Sequence, residues 1–338
     1  MSWEDYFGYS SSEEGYIYKD RNVISLPTDL PMPPINDFSC LFSECEQLQD
    51  ISALANWNTS RVTKMWCMFA NCKQLQDLSA LATWNVSNVR DISWMFSGCE
   101  QLKDISPLSS WDTNRVTDMS LTFAVCTSLQ DLSALSKWNV SNVRDMSELF
   151  IGCRQLKDLT ALANWNISNV TNIRSIFHDC HRLQDITALS NWNVSNVTDM
   201  STMFGDCHQL QDITALANWN ISNVEDMHHM FHRCKQLEDI TALANWNISK
   251  VDGMDYMFAG CTSLQDITAL ANWNVSNVGD MNHMFAGCSQ LQNITALSNW
   301  DVSSVEDMDE MFYDCRQLKD ITVLDNWNLS KVEHLYSL

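Results

Sequence analysis

The chain has 338 residues, with 42 acidic against 20 basic side chains and a formal net charge of −22. Phosphate binding needs a surplus of Lys and Arg, so the composition argues against nucleic acid and favours solubility, cations or basic partners. No apolar run is long enough to span a membrane, and the opening MSWEDYFGYSSSEEGYIYKD has neither the basic nor the apolar region of a secretory leader; a cytoplasmic location is the default expectation.

Residues 1–37 form an N-terminal arm with seven acids and two bases. Trp3, Tyr6, Phe7, Tyr9, Tyr16 and Tyr18 are too many aromatics for a solvated tail, so residues 1–21 are expected to fold over the first repeat as a cap. Pro27, Pro31, Pro33 and Pro34 deny the next segment ladder bonds and a helix interior, so residues 22–37 are expected to be extended.

From Phe38 to residue 338 one pattern recurs. Tryptophan returns every 27 residues, eleven times, from Trp57 through Trp192 to Trp327, and Phe42 to Phe312, Leu48 to Leu318 and Val62 to Val332 keep the same phase. A strict period of this length marks stacked units that cannot bury their apolar faces alone. The fold expected for residues 38–338 is an α/β repeat solenoid of about eleven 27-residue rungs ending in a partial one. Short parallel strands should stack along one face, with short helical turns elsewhere.

One unit runs from Trp192 to Asn218 as WNVSNVTDMSTMFGDCHQLQDITALAN. Trp192 should wedge a corner, and Asn193 to Asn196 should turn with side chains bonding the backbone. Val197–Met200 reads as a second short strand or an early start to a helix, with strand the better fit. Met200, Met203, Phe204 and Cys207 fall at i, i+3, i+4 and i+7, one face of a short helix. Gly205 and Asp206 favour a turn, and Leu210–Leu216 reads as a strand with Ile213 and Ala215 inward and Thr214 outward.

Eleven of the thirteen cysteines repeat in phase from Cys45 to Cys315, while Cys40 and Cys67 share a second position in the first two repeats. Parallel side chains on neighbouring rungs are poorly aimed for disulfides, so all are read as reduced apolar fillers. After Trp327, Val332 and Leu335 continue the core phase. Their rung is expected to be covered by a short helix from residues 328–338, the chain being a monomer, or by the same end of a second copy in a C2 dimer.

The runs VTDMSTMFGDC, SNVRDMSELFIGC and VEDMDEMFYDC resemble the V-T-D-M-x-x-M-F-x-x-C signature of BspA-like leucine-rich-repeat proteins. The resemblance implies a leucine-rich-repeat solenoid, binding of host proteins, cells or other microbes, and a surface or secreted location. The 27-residue unit with its I-T-A-L-A-N-W stretch departs from the usual shorter repeat.

A catalytic group drawn from the repeat would occur some ten times over, and phosphate loops, H-E-x-x-H and G-x-S-x-G are absent; the chain is read as a non-enzyme. Asp50, Asp77, Asp104, Asp131, Asp158, Asp185, Asp212, Asp239, Asp266 and Asp320 form one ladder whose repulsion water, backbone amides or weakly bound Ca²⁺ could offset. Side-chain bonds to turn amides explain it best, and no cofactor is otherwise implied. His228, His229 and His232 share one repeat, with His283 and His178 in phase two rungs away and His181 one rung from His208. Divergence on a convex turn would leave them solvated rather than convergent on a metal. The positions that vary between the in-phase Met or Ile and Phe are the candidates for recognising a protein partner, against neutral drift on exposed sites: Trp66, Trp94, Arg174, His228, His229, Tyr256, His283 and Glu310. The rival function is structural, a rigid spacer or an end-to-end assembler.

Overall fold

The rungs send their backbone N–H groups alternately to two destinations. In the rung opened by Asp199, the amides of Met200, Thr202, Phe204 and Asp206 donate to carbonyls of Asp226, His228, Met230 and His232 on the next rung at 2.7–3.1 Å. Those of Met203, Gly205 and Cys207 donate three residues back, to Met200, Thr202 and Phe204, at 3.0–3.3 Å. Thr202 and Asp206 both have φ of 58°, the left-handed third position of a type II turn. The segment expected to be a helix over Met200–Cys207 is therefore a run of turns. Its inward set is as expected, since Met200, Met203, Phe204 and Cys207 are fully buried, but a left-handed residue every fourth position prevents an i→i−4 ladder.

The computed structural model describes residues 1–333 and 335. They form two compact units, Met1–Leu156 with Thr160–Asn169 and Lys157–Leu159 with Val170–Leu338. Along the repeats of each, strand character shrinks to isolated parallel bridges, mainly at Asp37, Lys64, Asp91, Asp118 and Asp145 in the first and at Asn172, Asp199, Asp226, Gly253, Asp280 and Asp307 in the second, which also pairs Asp158 with Asp185. The strand expected over Val197–Met200 is the bridge at Asp199. The strand expected over Leu210–Leu216 is instead a 3₁₀ turn at Thr214–Leu216. Asp212 Oδ1 accepts the Thr214 amide at 2.8 Å and Ile213 accepts that of Leu216 at 3.0 Å, so these N–H groups are used within the rung. Ile213 and Leu216, rather than Ala215, point inward. The whole is a sheet-poor repeat solenoid with 27-residue rungs.

Inside, side chains of one phase lie on one another. Phe42, Phe69, Phe96, Phe123 and Phe150 stack in the first unit at 5.6–5.9 Å between ring centroids, and Phe177, Phe204, Phe231, Phe258, Phe285 and Phe312 do so in the second. Indole N–H groups of the tryptophan column donate to carbonyls of the preceding rung, as Trp84 does to Leu54 and Trp246 to Leu216, at 3.0 and 3.1 Å. The thirteen cysteines are free. Ladder thiols donate to the preceding rung, Cys72 to the Phe42 carbonyl and Cys261 to that of Phe231, and burial pushes the Cys153 and Cys261 thiols up to about 12, which makes them poor nucleophiles.

The arm is a two-stranded antiparallel hairpin, β1 (Phe7–Ser10) and β2 (Gly15–Tyr18), after one helical turn at Trp3–Tyr6. The Tyr18 amide donates to Leu41 at 2.6 Å, and Phe7 packs 5.9 Å from Phe42 and 6.3 Å from Trp57. Residues 22–37 contain no helix but are not purely extended, since the Leu30 amide turns back to Pro27 at 3.0 Å, while Ser25 bridges Asp50 in parallel and the Trp57 indole donates to Leu30 at 3.3 Å. Prolines exclude ladder bonds only at their own nitrogens, and the segment supplies a partial rung between them. Deleting residues 1–37 is expected to bare Phe42 and Trp57 and cause aggregation in light scattering; a soluble truncation of unchanged stability would count against a capping role. At the other end Val332 is half-buried and Leu335 is 46% exposed. The covering helix expected from residues 328–338 falls partly outside the described residues.

Candidate functional site

Each rung turns three corners, and in most rungs a short acceptor side chain stands at each, Lys64 and Gly253 being exceptions at the second. Asn193, Asp199 and Asp212 accept the amides of Ser195, Ser201 and Thr214 at 3.1, 2.9 and 2.8 Å. The Asp ladder is the third corner. Hydrogen bonds from Thr214 and Ser106 hold the Asp212 and Asp104 carboxyls below the usual range, and the ladder makes the amide bonds its spacing suggested.

Two further columns carry positive φ in every rung. One reads Glu44, Asn71, Gly98, Val125, Gly152, Asp179, Asp206, Arg233, Gly260, Gly287 and Asp314. Eight of these eleven are Gly, Asn or Asp, the residues that enter the left-handed region most readily. The other reads Cys40, Cys67, Trp94, Leu121, Glu148, Ser175, Thr202, His229, Tyr256, His283 and Glu310, with no Gly, Asn or Asp among them. The same backbone demand is met in the first column by residue choice and overridden in the second. Side chains with a β-carbon are held there at a cost of ~1–3 kcal/mol each.

In the second unit this column is a ring stack. His229 lies 4.6 Å from Tyr256 with planes 14° apart, Tyr256 lies 4.4 Å from His283 at 7°, and His283 Nε2 is 3.0 Å from Glu310 Oε2. His228 meets His229 edge-on at 5.4 Å and is hydrogen-bonded through Nδ1 to Asp226 at 2.6 Å. His232 closes the flank, 5.3 Å from His229 and 5.9 Å from Tyr256. The histidines expected to diverge into solvent are stacked and half-buried instead, because parallel bridges keep in-phase positions over one another. His181 and His208 stack likewise at 4.5 Å. Among the described residues no three histidine nitrogens converge as a metal site requires.

The cluster is electrostatically poised. Burial, then His232, His228 and His178, push His229 down to about 4. Burial also lowers His232. The Asp226 hydrogen bond raises His228. Burial, then Asp280, raises Asp255 to about 6, although His229 Nδ1 is 3.5 Å from its carboxylate; desolvation outweighs that pairing on both sides. The Nδ1 atoms of His229 and His232 are buried without a hydrogen-bond partner. An unfolded His titrates near ~6.5, so the depressed His229 value contributes stability above that pH which is lost as pH falls toward 4. Raised Asp255 acts oppositely, costing stability as it ionises up through about 6. Histidine-selective NMR should show His229 neutral at pH 5 while His228 is largely protonated; a His229 midpoint at the ordinary value would contradict the buried stack.

Of the sequence candidates, the structure brings together His228, His229, Tyr256, His283 and Glu310. Exposed Arg174 stands in the His228 column two rungs earlier and contributes to the field at His228. Trp66, half-buried, and Trp94, 43% exposed, belong to the other unit. Asp255 shares the phase of His228, whereas His232, at a different phase of the same rung, reaches the stack from its flank.

No curated protein matches the chain. Among solved structures it is similar to a leucine-rich repeat protein from Bacteroides ovatus, at 17% identity and TM-score 0.44 over 82% of this chain and 67% of that one. It is also similar to a leucine-rich cell surface protein from Faecalibacterium prausnitzii, at 14% identity and TM-score 0.32 over 98% and 92%. A third likeness is to internalin C2 of Listeria monocytogenes, at 14% and 0.28 over 76% and 74%. No helix among the described residues is long and apolar enough to cross a membrane. The family model described as "Mycoplasma protein of unknown function, DUF285" matches residues 36–159, 129–243, 157–268 and 237–338, and the chain belongs to that family.

Proposed function

We propose that the chain is a non-enzymatic interaction module that binds a protein partner through the left-handed column, with His229, Tyr256 and His283 as its centre. The observation that carries this reading is the contrast between the two positive-φ columns, one occupied by the residues its backbone prefers and the other not. Half-buried rings with a carboxylate at one end have the amphipathic character of interface hot spots. The BspA-like signature supports adhesion to a host or microbial surface as the setting. The test is capture on the immobilised full chain, with Tyr256→Gly and, on another corner, Asp239→Ala as variants. A ligand held by wild type and by Asp239→Ala but lost from Tyr256→Gly supports the reading; equal capture by all three sinks it.

A second reading, end-to-end assembly, is favoured by Ile321, 47% exposed where its counterpart Ile294 is 1% exposed. Mass that rises with concentration in light scattering, and reverts in Ile321→Lys, would support assembly; a mass independent of concentration would not.

A further inference from the structure

Cys40 and Cys67 stand apart from the buried cysteine ladder. They head the left-handed column, with φ of 59° and 61°, in the first two rungs of the first unit. The turn between β1 and β2 brings Glu13 to them, and the two thiol sulfurs and a carboxylate oxygen all lie within 4.8 Å of one another. Cys40 is fully buried, whereas Cys67 and Glu13 are partly exposed.

We propose that Glu13, Cys40 and Cys67 form a binding site for a thiophilic divalent cation, Zn²⁺ by the chemistry of its donors, that fastens the N-terminal hairpin to the first two rungs. Two thiolates and a carboxylate are a zinc-type ligand set, with a water completing the tetrahedron. Zn–S bonds of ~2.3 Å give donor separations of about 3.8 Å, so a cluster whose donors lie within 4.8 Å of one another needs to close by no more than about 1 Å. Glu13 sits in a hairpin turn, where such a movement is least restrained. Binding releases the two thiol protons to solvent, and the cation offsets the repulsion that would otherwise arise among the two thiolates and the carboxylate. The ladder cysteines differ, since thiols such as those of Cys72, Cys99 and Cys126 donate to carbonyls inside the column.

The test uses the full chain, reduced and freed of metal with a chelator, then dialysed against Zn²⁺ or Co²⁺. Expected are equimolar zinc, a thiolate-to-cobalt charge-transfer band, and protection of Cys67 from iodoacetamide by zinc. Glu13→Gln, which alters a partly exposed side chain and leaves the rungs intact, should weaken zinc by at least the ~10- to 100-fold that loss of a supporting contact costs. Cys67→Ser, checked for folding by circular dichroism, should abolish the band. Substoichiometric zinc, a cobalt spectrum without the thiolate band, or equal binding by Cys67→Ser overturns the proposal. So does a Cys40–Cys67 disulfide that, once reduced, leaves a chain taking up no metal.

Discussion

Replacing Phe204 by alanine is expected to destabilise the chain by about 3–5 kcal/mol, the usual cost of emptying an aromatic core site. The ring is fully buried between Phe177 at 5.9 Å and Phe231 at 5.8 Å. Neither neighbour can fill the gap by a rotamer change, because each is held in the same stack on its far side. Since rungs are stabilised mainly by their neighbours, the loss should first appear locally. Hydrogen exchange at the amides of Thr202, Phe204 and Asp206, which bond the next rung, should accelerate before the global transition moves. An unchanged denaturation midpoint together with unchanged exchange at these amides would mean that the phase assigned to the column is wrong.

What the sequence made legible was phase, and phase alone. The 27-residue period identifies the inward residues because parallel rungs stack equals on equals, and Met200, Met203, Phe204 and Cys207 are buried as their spacing requires. The same i, i+3, i+4, i+7 spacing serves a helix and a run of turns equally well. The discriminating signal was the recurrence of Gly98, Gly152, Gly260 and Gly287 at one phase, all with φ near 74°, which a helix interior would not tolerate. The strand at Leu210–Leu216 was misread for a related reason. Asp212 and Thr214 look like outward strand positions, but an Asp two residues before a Thr takes the amide that a ladder would have used. At the candidate site, in-phase His229 and His283 were visible from the sequence, whereas their half-burial depended on which way the turn faces.

Tyr256→Gly is expected to separate stability from binding. Tyr256 has φ of 53°, and an L-residue pays about 1–2 kcal/mol for a left-handed backbone that glycine adopts freely. Against that gain stand two ring stacks, to His229 at 4.6 Å and to His283 at 4.4 Å, each worth about 0.5–1.5 kcal/mol. The greater freedom of glycine in the unfolded chain costs about 0.5–1 kcal/mol more. These contributions oppose one another, so folding stability should stay within about 1–2 kcal/mol of wild type. Binding has no such compensation, because glycine presents no surface at all. Loss of a central aromatic anchor costs at least ~2 kcal/mol, or about 30-fold in Kd. Calorimetric unfolding and partner affinity measured on the same variant decide the matter. If Tyr256→Gly lost several kcal/mol of stability and kept its affinity, the ring would be a packing element and the partner would bind elsewhere on the chain.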